Sequence, residues 1–396
     1  MDPQIVMWVG FILAGYAVVG NDSIQTLGTF LSSNEQRPWW VLWLFAGSIL
    51  TFTLVYGWYE YGGDVSYERL QVLGDNGQLR YPSPTDMPAF GWPYLLPPLV
   101  LMLLTRTGIP VSTSFLILTF FAPKGLMSMT MKSILGYALA FCVAILVWQL
   151  ITKAMDRRFI NNPIKPQEKR IWTILQWSST GFLWGQWLIQ DFANIYVYLP
   201  RSITGLELAI SLGVLLSMLA IIFYSKGGKI QKIVKAKTNT TDVRSATLID
   251  FTYGIVLLFF KEFSNVPMST TWVFLGLLAG REIAVRYRLE LAAEPSDVSR
   301  APLMHNLGIA LNVVLLGLIG YVVYLRDQVS DLIIIVLAVA MIARAAVAYY
   351  ETSSGELDLK GAFRNILSDL AKVTLGLAIS VALVFIMKWL TGGAVG

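Results

Sequence analysis

The chain has 396 residues, of which 55% are hydrophobic and only 14% are charged, and its mean hydropathy is +0.60. Soluble domains carry about 25% charged residues, so this composition excludes an ordinary soluble protein and predicts a membrane protein. The net charge of +5 does not argue for nucleic-acid binding, because basic residues collect in the cytoplasmic loops of membrane proteins. One cysteine, Cys142, and one histidine, His305, argue against a disulfide and a zinc site.

Apolar stretches long enough to cross a bilayer recur along the chain. We predict spans near residues 4–20, 38–57, 133–152, 171–189, 204–225, 306–325, 332–350 and 370–390. Two further segments, 90–121 and 246–280, each contain two apolar halves that are separated by a short polar tip. Halves of ~13–18 residues are short for a span but suit a re-entrant hairpin. The sequence therefore predicts an all-α polytopic membrane protein with two re-entrant helical hairpins.

Loop charges indicate the orientation of these segments. Loops 152–170 and 226–244 contain six basic residues each, whereas loop 58–88 contains two basic and five acidic residues. The positive-inside rule places the first two loops in the cytoplasm and the third outside the cell membrane. This arrangement requires segment 90–121 to enter and leave the membrane on one side, and it places the N-terminus outside.

The order of the segments repeats. Residues 1–152 contain span, span, hairpin and span, and residues 171–325 repeat that order from the opposite side of the membrane. Such an inverted-topology repeat is the architecture of many secondary transporters. Residues 153–170 are a predicted cytoplasmic linker, and residues 326–396 are two additional transmembrane helices to which the pattern assigns no function.

Each predicted repeat carries a polar motif at the end of its first span. The motifs are Asn21-Asp22-x-x-Gln25 and Gln190-Asp191-x-x-Asn194. A carboxylate at the bilayer centre costs ~2.5–3.5 kcal/mol and usually faces a cavity, a cation or a proton. We therefore predict that Asp22 and Asp191 contact a coupling ion, Na⁺ or H⁺, beside breaks in both helices that free backbone carbonyls as further ligands. The alternative is that both aspartates are N-caps of the helices that follow.

The hairpins carry a second pair of motifs, Ser112-Thr113-Ser114 and Ser269-Thr270-Thr271. Hydroxyls at a helix start lie beside unpaired N–H groups and the positive end of the helix dipole, which together bind anions. Two such helix starts, facing each other, would converge on one tetrahedral oxyanion. The side-chain amides of the first motif pair can donate to this anion or offer oxygens to a cation; they belong to Asn21, Gln25, Gln190 and Asn194.

Other polar residues in the apolar segments keep two interpretations each. Arg106 either binds the oxyanion or extends to the extracellular surface. Glu262 pairs either with its neighbour Lys261 or with the opposite repeat. For Thr26 and Thr29 we predict hydroxyls that bond back to the carbonyl four residues earlier.

These motifs resemble those of the inorganic phosphate transporter (PiT) family, whose signature Gly-Ala-Asn-Asp-Val-Ala-Asn occurs once per repeat. Gly20-Asn21-Asp22 and Asp191-x-Ala193-Asn194 match parts of the two copies, and both hairpin motifs look like the family's Pro-Val-Ser-Thr-Thr-His. The sequence departs from the family at several positions. Gln25 and Gln190 replace asparagines, Ser114 is the third hydroxyl of the first hairpin, and Phe115 and Trp272 stand at the histidine positions.

The resemblance implies cation-coupled uptake of phosphate, or of sulfate in some members, with the aspartates serving Na⁺ or H⁺ and the hydroxyl and amide groups holding the anion. We predict a secondary active transporter that works by alternating access, needs no cofactor beyond the coupling ion and is not an enzyme. A sulfate permease of the same fold, a channel and a receptor are the alternatives. The predicted partners of the protein are a small oxyanion and membrane lipid. A homodimer is also expected, because transporters of this kind often form homodimers.

Overall fold

A computed structural model provides the structure of the chain. It describes residues 2–74, 77–87, 90–107, 112–151, 164–225, 243–263, 268–280, 371, 377–386 and 389. The predicted spans 306–325 and 332–350, and His305, lie outside the described residues. Within the described part, all regular structure is helical apart from an isolated bridge between Leu73 and Leu79. The protein is an all-α polytopic membrane protein.

The described helices have the following bounds: α1 Pro3–Ser33, α2 Trp39–Glu60, α3 Leu96–Thr107, α4 Thr113–Phe121, α5 Leu126–Ile151, α6 Pro166–Tyr196, α7 Gly205–Tyr224, α8 Val243–Phe263, α9 Thr270–Gly280 and α10 Leu377–Ile386. Short 3₁₀ turns occur before α3 and α5, at Pro84–Asp86, Trp92–Leu95 and Pro123–Gly125. Five of the predicted spans, those that begin at residues 4, 38, 133, 171 and 204, coincide with helices α1, α2, α5, α6 and α7.

Four segments of the described chain are long and apolar enough to cross a membrane: Pro3–Ser23, Trp39–Glu60, Pro123–Ile145 and Gly205–Tyr224. Helix α6 is not among them, because it interrupts its apolar residues with glutamine, serine and threonine. Several of these polar residues, such as Gln176 and Thr180, are nonetheless buried inside the protein. The low hydropathy of α6 thus reflects a polar interior.

Helices α1 and α7 begin where local chemistry favours a helix start. The Asp2 carboxylate accepts a hydrogen bond from the Gln4 amide at 2.8 Å, and Pro3 occupies the first helical position. At α7, Thr204 and Glu207 form a complete capping box, in which each side chain accepts from the other residue's backbone N–H. The acid at position 207 is therefore a cap in the first turn of its helix.

The predicted helix breaks at the two polar motifs are wrong. Helix α1 runs from Pro3 to Ser33 and α6 from Pro166 to Tyr196 without interruption. A sharp break needs proline, a π-bulge or an inserted group, and the prolines of both helices stand only at their first positions. Some side chains beside the first motif bond back along their own helix, as Thr26 does with the Asp22 carbonyl at 3.0 Å.

The helices of the predicted hairpins are short. Helix α3 has 12 residues and α4 has nine, and both are shorter than the ~20 residues of a membrane span. Helix α9, Thr270–Gly280, is a similarly short apolar helix. The tips at 108–111 and 264–267 lie outside the described residues, and the re-entrant path, the inverted repeat and its boundaries remain predictions.

The chain forms two compact units. Unit 1 comprises Met1–Ser133, Lys165–Trp272 and Ala371–Gly396, and unit 2 comprises Ile134–Ile164 and Val273–Leu370. In unit 1, α6 packs against both α1 and α8. Gly254 permits the close approach of α8 to α6, since a Cβ there would lie 2.7 Å from the Phe182 ring.

In the described part of unit 2, α5 and α9 are in backbone contact. A Cβ on Gly276 would overlap the Tyr137 carbonyl, and a Cβ on Gly280 would overlap the Phe141 carbonyl. Small residues four apart let membrane helices approach this closely. Glycine at both positions is therefore a packing requirement.

Candidate functional site

The two polar motifs lie within α1 and α6, away from the starts of these helices. Asp22 is 1% exposed and Asp191 is fully buried. The two carboxylates are close enough to interact electrostatically. The alternative that they are N-caps is wrong, because the N-caps of the two helices are Asp2 and Lys165.

All twelve residues that the sequence predicts for the ion and anion sites are buried, with 5% or less of each side chain exposed. They all belong to unit 1. They are Asn21, Asp22 and Gln25 of α1, Ser112, Thr113 and Ser114 at the start of α4, Gln190, Asp191 and Asn194 of α6, and Ser269, Thr270 and Thr271 at the start of α9.

Asn194 joins the second polar motif to the first predicted hairpin. Its Nδ2 donates to the hydroxyls of Thr113 and Ser114, both at 3.1 Å, and to the Asp191 carboxylate. In α1, by comparison, the Asn21 side-chain amide donates to the carboxylate of its immediate neighbour, Asp22, so that this bond stays within one helix. One amide of α6 thereby fixes the start of α4 beside Asp191.

The starts of α4 and α9 are built alike. The Ser112 hydroxyl accepts from the Phe115 amide at 3.2 Å, and the Ser269 hydroxyl accepts from the Trp272 amide at 3.3 Å. Both serines thus act as N-caps. An N-cap hydroxyl still has its own proton to donate, but one of its lone pairs is occupied by its own helix.

The hydroxyls that follow these caps reach both carboxylates. Thr113 lies beside the carboxylate of Asp22, and Ser114 and Thr270 lie beside that of Asp191. Ser114 also donates to the Met268 carbonyl at 3.0 Å, so the starts of α4 and α9 are in direct contact. Residues from four helices therefore converge on one buried polar site.

Four buried oxygens of this site accept no hydrogen bond from the part of the chain that the structure describes. They are Oδ2 of Asp22, Oδ2 of Asp191, Oε1 of Gln190 and Oδ1 of Asn194. Buried polar atoms are satisfied in the great majority of cases, and each exception needs an explanation. Carboxylate and amide oxygens are hard ligands, so these atoms fit a small cation.

Several buried donors have no acceptor among the described residues, including Nε1 of Trp272 at the start of α9 and the donors of two further residues. One is Gln25, whose Nε2 bonds to nothing. The other is Arg69, whose Nε and Nη1 are buried and unpaired. Donors of this kind fit an anion.

Thr26 and Thr29 have different roles. Thr26 bonds back to its own helix at the Asp22 carbonyl, as predicted. The prediction for Thr29 is wrong: its hydroxyl donates to Oδ1 of Asp250 in α8, at 2.5 Å. Thr180 of α6 donates to Oδ2 of the same carboxylate. A long-range carboxylate acceptor therefore replaces the local carbonyl at Thr29.

The side chains of Arg106 and Lys261 lie outside the part of the chain that the structure describes. Glu262 lies at the exposed end of α8. It is close enough to Arg69 to interact electrostatically. Arg69 belongs to the first predicted repeat and Glu262 to the second, so this interaction agrees with the interpretation that Glu262 pairs with the opposite repeat.

Three buried charged residues of unit 1 were not predicted from the sequence. Asp250 could have been found, because it is an isolated acid within an apolar segment. Lys132 is 7% exposed and lies near the start of α5, where a basic residue at a helix end normally signals an interface. Arg69 gave no signal, because it lies in an acidic loop whose path is not visible in the sequence.

Comparisons with known proteins give one weak likeness. No protein-family model and no curated protein matches the chain. Among solved structures, the chain is similar to one described as "The sodium-dependent phosphate transporter", with 16% identity over 88% of this chain and 99% of that chain, at a TM-score of 0.46. A TM-score this low assigns no function to the chain, and the resemblance to the PiT family therefore depends on the motif residues alone.

Proposed function

We propose that this protein is a secondary active transporter that takes up inorganic phosphate together with a cation by alternating access. The observation that carries the proposal is the buried site in unit 1, where two aspartates, two helix starts and several amides meet. The site offers oxygens to a cation and N–H and O–H groups to an anion, which is what the cotransport of the two requires.

Sodium is the cation that the site favours. Four buried oxygens of this site, from Asp22, Asp191, Gln190 and Asn194, have no hydrogen-bond donor among the described residues, and carboxylate and amide oxygens are the ligands that a small hard cation prefers. A proton would satisfy only one of them and would leave the two amide oxygens unpaired. The ligands are side-chain oxygens, because α1 and α6 are continuous at these positions and free no carbonyls there.

Phosphate is the anion that the site favours over sulfate. At neutral pH phosphate is a mixture of mono- and dianion and can donate hydrogen bonds, whereas sulfate only accepts them. The hydroxyls of Thr113 and Ser114, the groups expected to hold the anion, lie beside the carboxylates of Asp22 and Asp191. A carboxylate so close to the anion can accept a hydrogen bond from phosphate and would repel sulfate.

Uptake into proteoliposomes tests the proposal. The purified protein is reconstituted, and radiolabelled phosphate and sulfate uptake are measured under an inward Na⁺ gradient, an inward H⁺ gradient and no gradient. We expect concentrative phosphate uptake with the Na⁺ gradient only. Concentrative sulfate uptake would identify the competing permease function, and flux that only follows the anion's own gradient would identify a channel and refute the proposal.

The variants Asp22→Asn and Asp191→Asn separate coupling from folding. Both should abolish concentrative uptake while the protein still purifies as a monodisperse species, because the amide keeps the shape of the side chain but loses the charge that holds the cation. Asp86→Asn is the matched control, since this acid is exposed in the loop before α3. Concentrative uptake in both site variants at the control level would remove the coupling role.

A further inference from the structure

Arg69 is a buried arginine that lies in a loop and not in one of the helices. It lies in the segment between α2 and α3 and is 1% exposed, and its Nε and Nη1 have no hydrogen-bond partner in the described residues. A guanidinium has five N–H donors and is expensive to bury without acceptors. Burial lowers the pKa of Arg69 to about 10, so the group still carries its charge at neutral pH.

A second arginine, Arg201, has a structural role and provides a comparison. Arg201 follows α6, and all three of its nitrogens donate to backbone carbonyls at 2.9–3.2 Å. The acceptors are the carbonyls of Tyr81, Pro82, Tyr196, Val197 and Leu199. In the part of the chain that the structure describes, no comparable acceptor receives the Nε and Nη1 of Arg69.

The loop is organised to keep Arg69 buried. The Asp64 carboxylate accepts hydrogen bonds from the amide and hydroxyl of Ser66, from the Glu68 amide and from the Gln71 side chain, at 2.6–3.0 Å. Tyr67 donates to the Thr53 carbonyl of α2 at 2.5 Å. One carboxylate and one tyrosine therefore fix the loop on both sides of the arginine.

This organisation includes backbone strain directly before Arg69. Tyr67 and Glu68 have φ angles of 55° and 60°, in the left-handed region that non-glycine residues rarely adopt. Each such residue costs about 1–3 kcal/mol, and such residues persist at sites where the surrounding structure imposes them. Two such residues in succession indicate that the position of the arginine, and not the local backbone energy of the loop, determines this conformation.

Arg69 is close enough to two carboxylates to interact with them electrostatically. They belong to Asp191 of the polar site and to Glu262 at the end of α8. Lys132 of α5, which is itself buried, is close enough to repel it. Ser133, which follows Lys132, accepts a hydrogen bond on its hydroxyl oxygen from the Ser269 amide at the start of α9, at 2.9 Å.

We propose that Arg69 is an anion ligand, which reaches from the loop between α2 and α3 into the polar site and binds two oxygens of a tetrahedral oxyanion through its Nε and Nη. This inference rests on the proposed function and adds a cationic ligand, from a residue that the sequence did not point to, to the predicted hydroxyl and amide donors. The planar fork of arginine matches two oxygens of such an anion. In the predicted topology, the loop brings this ligand from the extracellular side.

Equilibrium binding of radiolabelled phosphate to the purified full chain, in saturating Na⁺, tests the assignment. Arg69→Gln should raise the Kd for phosphate about tenfold or more, since a hydrogen-bonded charge is lost. Arg69→Lys keeps the charge but not the fork, so we expect a smaller rise of about threefold or more. Arg80→Gln is the matched control: it removes the same charge from the same loop, at a residue that bonds to Ser128, and should bind like the wild type.

Sodium titrations distinguish an anion ligand from a counter-ion of Asp191. If Arg69 is an anion ligand, its variants should keep the wild-type Na⁺ concentration for half-maximal binding when phosphate is saturating. If Arg69 is instead a counter-ion of Asp191, its variants should change that Na⁺ concentration and leave the phosphate Kd unaltered. The second result would overturn the inference. If Arg69→Gln does not fold, the Kd of Arg69→Lys decides, and a value equal to the wild type's refutes the assignment. Wild-type protein that binds no phosphate would refute the proposed function and this inference together, whereas wild-type binding that both variants retain would refute only the inference.

Discussion

Asp250 joins three helices of unit 1 through its two carboxylate oxygens. Oδ1 accepts from Thr29 of α1 at 2.5 Å, and Oδ2 accepts from Thr180 of α6. All three side chains are buried or nearly so. We predict that the variants Thr29→Val and Thr180→Val, which remove one hydroxyl each and keep the side-chain shape, lower the free energy of unfolding.

The expected loss can be worked out from the contacts. Hydrogen bonds between membrane helices average about 0.6 kcal/mol, and bonds to a charged acceptor are roughly twice as strong as neutral ones. Each variant should therefore lose about 1.2 kcal/mol. The loss in the double variant should differ from the sum of the two single losses, because both bonds share one acceptor group. It should be smaller than the sum if the carboxylate finds another donor, and larger than the sum if it does not.

Reversible unfolding in mixed micelles of SDS and lipid, followed by circular dichroism, measures these losses. Thr51→Val is the matched control, because the Thr51 hydroxyl bonds only to the Gly47 carbonyl of its own helix, at 2.8 Å, and its loss should stay below about 0.5 kcal/mol. Losses in Thr29→Val and Thr180→Val that equal the control would refute the role of Asp250 as a tie between helices.

Three further predictions follow from other contacts. Thr113→Val and Thr270→Val should each raise the KM for phosphate uptake about tenfold through the loss of an anion donor, and an unchanged KM in both would exclude the helix starts as the anion site. Arg201→Lys should lower the melting temperature in detergent, because a single ammonium cannot satisfy carbonyls around a fork; a melting temperature equal to the wild type's would contradict this. Gly276→Ala should destabilise the protein by about 1–3 kcal/mol through overpacking, while Gly213→Ala, which has open space around it, should stabilise it slightly; stabilisation by both substitutions would show that helix propensity outweighs the close packing at Gly276.

Much of the helical architecture could be predicted from the sequence, because a membrane span needs only length and hydropathy. The positions of Asp22 and Asp191 could also be predicted as buried, since an intramembrane acid is expensive anywhere else. The continuity of α1 and α6 could not. Polar residues inside an apolar run look like an interruption in one dimension, whereas in three dimensions they face other polar side chains and leave the backbone intact.

The site was less predictable wherever its partners are distant in sequence. The bond between Thr29 and Asp250 joins residues 221 positions apart, and no local pattern announces it. Arg69 is harder still, because its burial depends on a loop conformation that Asp64 and two left-handed residues impose. Spacing rules describe one helix at a time, and they do not report which loop folds back onto which site.

The unbroken course of α1 and α6 has a mechanical consequence. A helix of 31 residues is about 46 Å long, which exceeds the ~30 Å hydrocarbon core of a bilayer. Each aspartate is therefore carried by a single unbroken helix, and in the predicted topology the two ends of that helix would lie near opposite membrane surfaces. Any shift or tilt that moves Asp22 or Asp191 must also move those ends, so probes attached near Pro3 and Ser33 would report, from outside the membrane, on the motion of a charge held inside it.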